Sequence, residues 1–460
     1  MPAPSPALPG DFLAGCVASV GDSNVLRDPD VTATYTVDWT RRWQGSTPAV
    51  VRPRTTAEVA EIVTLAREHA VALVPQGGNT GLVGGGVPLR GEVIVSLSRL
   101  TDLGPVDTLA GQVTAGAGVT LAALRHHAAA SGLAFGVNIG SRESATVGGM
   151  VATNAGGVHV VRYGPMRAQV VGVEAVLGTG AVISRLSGLV KDNTGYDLAQ
   201  ILCGSEGTLG IVTAARLRLV PPPGQIVTAI VALTSVAGAV RVAAALRRTL
   251  PGVQALELMT GPSLRLVARL WDTPPPVGPD AGAYLLVEVA APSDPLPALA
   301  AAVEAAGPEV IDAAVAGERA DRARLWRWRE GHSEAGGKLG VVHKLDVTLP
   351  TAELAGFCDE VADRVEAAWP GATLLLFGHV GDGNVHVNVV GPPADDEAVD
   401  DVVLGLVVER GGSISAEHGI GTLKRRWLAR DRSASEVEAM RAVKRALDPD
   451  GILNPGALLP

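Results

Sequence analysis

Apolar and polar residues recur along the chain with two different periods, and together these periods predict an α+β protein. Residues 56–69, T-A-E-V-A-E-I-V-T-L-A-R-E-H, repeat apolar side chains at the spacing of one helix face. Residues 226–233, I-V-T-A-I-V-A-L, and residues 283–290, A-Y-L-L-V-E-V-A, are apolar runs typical of buried strands. We therefore expect strands and helices to alternate in both halves of the chain.

Proline and glycine residues predict where the domains end. The run Pro221-Pro222-Pro223-Gly224 interrupts the periodic pattern and indicates a linker. We expect an N-terminal segment at 1–45, a first α+β domain at 46–221, a second at 225–430 and a C-terminal segment at 431–460. In that last segment a helix should end at Pro449, after which the chain should be extended.

Composition and charge exclude several classes of protein. The 460 residues are 47% hydrophobic and carry a formal net charge of −9 without a block of Lys or Arg, which argues against a nucleic-acid partner. Apolar runs are soon broken by Gly, Pro, Arg or Asp, so none predicts a transmembrane span, and the first residues lack the pattern of a signal peptide. Three distant cysteines argue against a disulfide framework and favour a reducing cytoplasm.

A glycine-rich stretch at 75–88, P-Q-G-G-N-T-G-L-V-G-G-G-V-P, is the first candidate for ligand binding. Glycine lets successive backbone N–H groups approach a ligand, so the stretch favours a cradle for phosphate. Neither of the common nucleotide patterns, G-x-G-x-x-G and G-x-x-x-x-G-K-[ST], occurs in the sequence. On its own the stretch is equally compatible with a structural loop.

Two further glycine-rich elements change this interpretation. They are N-I-G-S-R-E-S-A-T-V-G-G-M-V-A-T-N-A-G-G at 138–157, followed by R-Y-G at 162–164, and K-D-N-T-G-Y-D-L-A-Q-I-L-C-G-S-E-G-T-L-G-I-V-T at 191–213. Together with P-Q-G-G-N-T-G, they resemble the FAD-binding domain of the vanillyl-alcohol oxidase superfamily over residues 46–221. The resemblance implies a two-part FAD-binding domain, then an α+β substrate (cap) domain and a C-terminal segment. It implies FAD contacts at Pro75, Gln76, Gly77, Gly78, Asn79, Thr80, Gly81, Gly148, Gly149, Asn154, Gly156, Gly157, Glu206, Gly207, Gly210, Ile211 and Asn454.

Residues 377–389, F-G-H-V-G-D-G-N-V-H-V-N-V, predict a β-hairpin in the second domain. If residues 381–384 form its loop, His379 lies opposite His386, and cross-strand partners have Cβ atoms roughly 5 Å apart. Asn388 would share their face of the sheet. Two imidazoles in this register can bind one metal ion.

The segment S-A-E-H-G-I-G at 415–421 offers a third metal ligand. Two histidines and one carboxylate form a set with an open coordination position that suits Zn²⁺, and Mn²⁺ or another divalent ion also fits. Such an ion lowers the pKa of a bound hydroxyl group, and His418 beside Glu417 can accept the released proton. This chemistry suits the oxidation of an alcohol.

Three motifs, G-H-V-G-D-G-N-V-H, A-E-H-G-I-G and I-L-N-P-G, make the resemblance more specific. They are similar to the group of D-2-hydroxyglutarate dehydrogenase, D-lactate dehydrogenase and glycolate oxidase D-subunit. The resemblance implies metal ligands at His379, His386 and Glu417, a catalytic His418 that also contacts the substrate, and further substrate contacts at Arg329, Ser333, Lys344 and Asn388. Relatives commonly carry Thr at position 333 and differ at Gly331-His332, whereas Ser333 retains the hydroxyl group.

The hypothesis from sequence is an FAD-dependent, metal-assisted dehydrogenase of a D-2-hydroxy acid. His418 would accept the hydroxyl proton while hydride passes from C2 to flavin N5, which gives the 2-oxo acid. Arg329 would bind a carboxylate bidentately, with Lys344 as a second positive charge. One of these cations would be surplus for lactate, so D-2-hydroxyglutarate is favoured over D-lactate and glycolate.

Two competing hypotheses place the chain in a different class of protein. A zinc hydrolase would leave the three glycine-rich elements unexplained, whereas a noncatalytic subunit that retains the flavin fold would not. Among partners, the electron acceptor is open between an electron-transfer flavoprotein, a quinone and a cytochrome, and a homodimer is considered.

The first loop contains neither His nor Cys, and Asn79 stands within it, so FAD should be held noncovalently. Acid precipitation of the purified protein should release all of its yellow colour into the supernatant. A coloured pellet would contradict this prediction.

Overall fold

The computed structural model describes residues 8–393 and 395–460, so the first seven residues, on which the signal-peptide expectation rests, lie outside the described part. The chain forms two compact units. Unit 1 comprises the chain up to Gly157 with Gly164–Pro222 and Glu417–Pro460, and unit 2 comprises Val158–Tyr163 and Pro223–Ala416. The change between units at Pro222 falls within the predicted linker. Unit 2 ends at Ala416, however, whereas the second domain was expected to continue to 430.

The described residues form fifteen strands. In chain order they are β1 Val25–Leu26, β2 Val50–Val51, β3 Leu73–Gln76, β4 Val93–Ser96, β5 Gln112–Gly116, β6 Val170–Leu177, β7 Val182–Ser184, β8 Gly210–Arg218, β9 Gln225–Leu233, β10 Val253–Thr260, β11 Ala283–Ala291, β12 Val310–Ala316, β13 Val342–Thr348, β14 Thr373–Gly378 and β15 Asn384–Val390.

The same residues form sixteen α-helices, joined by short 3₁₀ turns. The helices are α1 Gly10–Val20, α2 Pro29–Thr32, α3 Thr56–Glu68, α4 Leu121–Ala130, α5 Val147–Thr153, α6 Val160–Tyr163, α7 Met166–Gln169, α8 Leu198–Leu202, α9 Val236–Thr249, α10 Gly261–Trp271, α11 Leu296–Glu304, α12 Arg319–Leu339, α13 Leu354–Ala368, α14 Ala398–Glu409, α15 Arg425–Asp431 and α16 Ala434–Leu447. The α+β prediction is confirmed.

Unit 1 contains two four-stranded sheets. The first has the order β1-β2-β4-β3, with β2, β4 and β3 parallel, and the second is antiparallel with the order β5-β8-β6-β7. Helix α3 begins where the Thr55 hydroxyl accepts a hydrogen bond from the Glu58 amide at 3.2 Å, and it buries Val59, Ile62 and Val63 in a core shared with both sheets.

The C-terminal segment is part of unit 1. Helix α16 begins at a capping box formed by Ser433 and Glu436 and ends before Pro449, as predicted. Beyond it, the Leu73 amide donates to the carbonyl of Ile452 at 2.8 Å, so the tail continues the edge of β3. Residues 417–460 are therefore an integral part of unit 1.

Unit 2 is built on one antiparallel sheet with the order β12-β9-β11-β10-β14-β15-β13. Helices α10 and α12 pack on one face of this sheet, where Trp328 and Leu264 contact a core that includes Tyr284 and Phe377. Successive residues of a strand face opposite sides, so this face also carries His386 and Asn388 of β15. The alternate residues of β15 are valines, and they are buried on the other face.

The structure corrects the predicted register of the β14–β15 hairpin. Phe377, rather than His379, is the cross-strand partner of His386. The Asn384 amide donates to the carbonyl of His379 at 3.2 Å, so the turn comprises residues 380–383 and lies one position earlier than predicted. Gly383 explains the shift, because its φ of +85° ends the turn in a conformation that L-residues with a Cβ rarely adopt.

No helix within the described residues is long and apolar enough to cross a membrane.

Substitution of Gly383 tests the role of this turn. Gly383→Ala should destabilise the protein more than Gly371→Ala, although both glycines have a positive φ. A Cβ at Gly371 meets no atom within 4 Å, whereas a Cβ at Gly383 would lie 2.4 Å from the Leu349 carbonyl oxygen. We expect about 1–2 kcal/mol for Gly371→Ala and roughly 1–3 kcal/mol more for Gly383→Ala, measured by urea denaturation. Equal losses would show that contact with Leu349 is unimportant.

Candidate active site

His379 and His386 lie side by side on one face of the sheet in unit 2. His379 follows Phe377 on that face by two residues, which makes it a diagonal neighbour of His386. The two rings have centroids 5.3 Å apart and an interplanar angle of 81°. The predicted proximity of the histidines is therefore present, although the register behind it differs.

A buried carboxylate lies behind each histidine. Glu257 Oε1 is 2.6 Å from His379 Nδ1, and Asp346 Oδ1 is 3.4 Å from His386 Nδ1. Both carboxylates are fully buried. Each can accept the Nδ1 proton, which leaves the Nε2 lone pair available, so the pair fits a divalent ion such as Zn²⁺.

Glu257 was not predicted from the sequence, and Asp346 was given no role there. One signal was available for Glu257, because it is an acidic residue within the apolar run A-L-E-L-M at 255–259, and a weaker one for Asp346, which lies between Leu345 and Val347. A carboxylate in a buried strand needs a hydrogen-bonding partner.

Arg329 of α12 reaches the same face but already has a partner. Its Nε donates to Glu257 Oε2 at 2.7 Å, and its guanidinium group lies over the Phe377 ring at 4.6 Å. Burial alone would raise the pKa of the Glu257 carboxyl, but His379 and Arg329 outweigh this effect and hold that pKa below its usual range. Arg329, which was expected to bind a substrate carboxylate, is thus already paired with a carboxylate of the protein.

Lys344 and Asn388 are cross-strand partners, in the row next to Asp346 and His386. Asn388 is buried and Lys344 is half-buried, and burial lowers the pKa of the Lys344 ammonium group. Five predicted residues of unit 2 therefore gather around one face: Arg329, Lys344, His379, His386 and Asn388.

Ser333 and its neighbour His332 differ in environment. Ser333 is exposed on α12, one turn beyond Arg329. His332 is fully buried, and burial, assisted by the charge of Arg329, lowers its pKa to about 3, so the ring is neutral. Its Nδ1 lies 2.9 Å from the Trp328 carbonyl oxygen.

Glu417 and His418 are half-buried residues at the start of the last segment of unit 1. Glu417 Oε2 accepts a hydrogen bond from the Gly157 amide at 2.6 Å. In unit 2, the preceding Ala416 amide donates to the Asp346 carbonyl at 3.2 Å. Glu417 therefore directly follows a residue that is hydrogen-bonded to β13, the strand that pairs with the strand of His386.

Glu206 holds the loop that carries His418. Its two carboxylate oxygens accept hydrogen bonds from the amides of Ile420 at 2.8 Å and Gly421 at 2.7 Å. Burial raises the pKa of this carboxyl, although the two amides and nearby Lys424 oppose the rise. The Glu206 side chain, which was predicted to contact FAD, thus binds the loop at 417–421 with both of its carboxylate oxygens.

The glycine-rich elements pack closely against one another in unit 1. A Cβ at Gly78 would lie 1.8 Å from the Ser144 carbonyl oxygen, and one at Gly77 would lie 2.3 Å from Thr146 Oγ1. These glycines therefore permit loop packing as well as ligand approach. The buried hydroxyl groups of Thr146 and Ser205 have no hydrogen-bond partner among the described residues, which fits a polar ligand such as FAD at these loops.

Several other predicted FAD contacts also bond to the protein. Gln76 Nε2 donates to the carbonyls of Tyr35 and Gly86, and Asn79 Nδ2 donates to that of Val37. The Asn154 side chain accepts from the Arg167 amide, and Asn454 Nδ2 donates to the carbonyls of Gly85 and Glu206. The remaining predicted positions are Pro75 in β3, Thr80 and Gly81 in the loop after it, Gly148 and Gly149 in α5, Gly156 and Gly157 just beyond α5, Gly207 in the turn before β8, and Gly210 and Ile211 at the start of β8.

Comparison with known families agrees with this arrangement. A model of an FAD binding domain matches residues 47–185, and a model of the C-terminal domain of FAD-linked oxidases matches residues 222–458. The D-2-hydroxyglutarate dehydrogenase of Xanthomonas citri pv. viticola is 39% identical, with 92% of each chain covered. The mitochondrial D-2-hydroxyglutarate dehydrogenase of Bos taurus is 36% identical over 95% of this chain and 81% of that protein.

Solved structures show the same fold at low sequence identity. p-Cresol methylhydroxylase superposes with a TM-score of 0.78 at 17% identity, covering 99% of this chain and 98% of that one. Alkyldihydroxyacetonephosphate synthase gives a TM-score of 0.77 at 17% identity, covering 98% and 85%. The chain therefore belongs to the FAD-linked oxidases, in the group that includes the D-2-hydroxyglutarate dehydrogenases. The predicted two-domain flavoprotein fold and FAD-linked oxidoreductase class are confirmed.

Glu206→Gln should lower turnover of 2-hydroxy acids while FAD remains bound. The amide side chain retains one acceptor oxygen, so one hydrogen bond to the loop is lost, at about 1.5 kcal/mol or roughly tenfold in kcat. Flavin absorbance and turnover with a dye acceptor measure the two effects. Glu92→Gln is the control, because Glu92 is a buried carboxylate of unit 1 that accepts from the Arg90 amide instead. Equal turnover in the two variants would exclude a specific role for Glu206.

Proposed function

We propose that the protein is an FAD-dependent, metal-assisted dehydrogenase that oxidises a D-2-hydroxy acid, D-2-hydroxyglutarate in the first place, to the 2-oxo acid. The observation that carries the proposal is the sheet face in unit 2, where two carboxylate-backed histidines lie beside Lys344, Asn388 and Arg329. The named activity of the relatives, D-2-hydroxyglutarate dehydrogenase, supports the same substrate.

Metal binding is assigned to His379, His386 and Glu417, with Zn²⁺ as the favoured ion. A divalent ion held there would polarise the substrate hydroxyl group and lower its pKa. Glu257 accepts a hydrogen bond from His379, and Asp346 Oδ1 lies 3.4 Å from His386 Nδ1, so both carboxylates orient the imidazoles for this role. The hydrogen bond from the Ala416 amide to Asp346 limits where Glu417 can lie.

His418 is proposed as the base that accepts the hydroxyl proton. Noncovalently bound FAD would supply the hydride acceptor, with flavin N5 as the receiving atom. The loop at 417–421 needs a fixed position for this chemistry, and the two hydrogen bonds that its amides donate to Glu206 hold it in place.

Substrate recognition is assigned to Arg329, Lys344, Asn388, Ser333 and His418. Arg329 donates a hydrogen bond from Nε to Glu257, so we assign its two terminal amino groups to the substrate carboxylate. Lys344 is proposed to bind the distal carboxylate of D-2-hydroxyglutarate. Ser333 is exposed, whereas the other four residues are buried or half-buried.

A monocarboxylate is the second candidate substrate. Glu257 compensates the charge of Arg329, so the site has one fewer surplus cation than the sequence alone indicated. Because of this ion pair, the site is better suited to D-lactate and glycolate than the sequence alone indicated.

Cellular context is also proposed rather than observed. We propose a cytoplasmic enzyme, in agreement with three buried free cysteines, although the relative from Bos taurus is named as mitochondrial. The acceptor is proposed to be an electron-transfer flavoprotein, quinone or cytochrome, and a homodimer is the assembly to test.

Anaerobic bleaching of the flavin spectrum tests the function and the substrate together. Wild-type protein should be reduced by D-2-hydroxyglutarate faster than by D-lactate or glycolate. Lys344→Met removes one charge-assisted contact, on the order of 2 kcal/mol, so kcat/KM should fall roughly thirtyfold for D-2-hydroxyglutarate and much less for D-lactate.

Lys338→Met is the matched control, because Lys338 is an exposed lysine paired with Glu334 on α12. Equal losses on both substrates, or a wild-type preference for D-lactate, would move the function to a monocarboxylate dehydrogenase. Absence of bleaching with every 2-hydroxy acid would favour a noncatalytic flavin-fold subunit.

A further inference from the structure

Glu257 lies between His379 and Arg329 on the sheet face of unit 2 that carries the candidate site. It lies in β10, a strand of apolar residues, and its side chain has no exposed surface. Its two oxygens serve two different groups, since Oε1 is 2.6 Å from His379 Nδ1 and Oε2 is 2.7 Å from Arg329 Nε. One carboxylate thus bonds a proposed metal ligand and a proposed substrate ligand.

The two hydrogen bonds have different consequences. The bond to His379 fixes the tautomer that presents Nε2 to a metal ion. The bond to Arg329 Nε, together with the Phe377 ring below the guanidinium group, limits the orientation of that group. Neither group can change orientation without breaking a bond to the same buried charge.

Asp346 provides an internal comparison. Asp346 Oδ1 is 3.4 Å from His386 Nδ1 and accepts a hydrogen bond from Asn384 Nδ2 at 2.7 Å. The proposed metal ligands His379 and His386 thus each have a carboxylate behind them, and Glu257 also bonds Arg329.

We propose that Glu257 is a positioning residue that couples metal affinity to carboxylate binding. It orients His379 for the metal ion and Arg329 for the substrate, so its loss weakens both at once. The metal part stands on the histidine geometry, whereas the substrate part rests on the proposed function.

Glu257→Gln keeps the size of the side chain but removes its charge, and one of its two polar atoms becomes a donor that faces a donor. Zinc affinity, measured by competition with a chelator and elemental analysis, should fall about tenfold to a hundredfold. At saturating zinc, KM for D-2-hydroxyglutarate should rise roughly tenfold.

Three variants separate these effects from a general loss of structure. His379→Ala should lose zinc, whereas Arg329→Met should retain zinc and raise KM. Glu288→Gln should change neither, because Glu288 is a buried carboxylate of β11 that bonds Thr228 and Trp326. Flavin content and the melting temperature report whether each variant is folded.

Wild-type zinc affinity in folded Glu257→Gln, or zinc loss with an unchanged KM, would overturn the proposal. If that variant does not fold, Glu257→Asp keeps the charge but shortens its reach, and zinc affinity and KM should both change in the stated directions. Unchanged values in Glu257→Asp would then overturn it. If wild-type protein oxidises no 2-hydroxy acid, the proposed function fails, while weaker zinc binding by Glu257→Gln would still support the metal part.

Discussion

Backbone hydrogen bonds align β13, β15 and β14 so that Asp346, His386 and Phe377 form one row across the sheet. The next row holds Lys344 and Asn388, because strand residues alternate between faces. A shift of one residue in any of these strands would move its polar groups to the opposite, valine-rich face. The composition of the site therefore depends on register more than on any single side chain.

Buried charge is the second constraint on this face. Glu257 and Asp346 are fully buried carboxylates, and hydrogen-bond donors beside each of them offset the cost of burying its charge. The same donors are the groups proposed to act on metal and substrate. Structural stability and site geometry thus depend on the same hydrogen bonds in unit 2.

The sequence predicted the type of element and much of the residue content of the site. Periodicity identified α3, β9 and β11, and the alternation around residues 381–384 identified the hairpin with both histidines on one face. It did not predict the register, because the four successive turn-forming residues 381–384 are compatible with several loops, and the conformation of Gly383 selects one of them. Glu257 was missed because its partners lie far away in the sequence, at positions 329 and 379.

Unit 1 is assembled from three separate stretches of the chain, and the last of them begins only after unit 2 ends. Its closing contacts join residues that are very distant in sequence, such as Asn454 and Gly85, which are 369 positions apart. During synthesis, the β3 edge and the Glu206 carboxylate therefore lack their hydrogen-bonding partners until the C-terminal segment has been made, whereas unit 2 can already fold. The nascent protein should pass through a state in which the flavin unit lacks its last stretch, and that state exposes apolar surface for chaperones to cover.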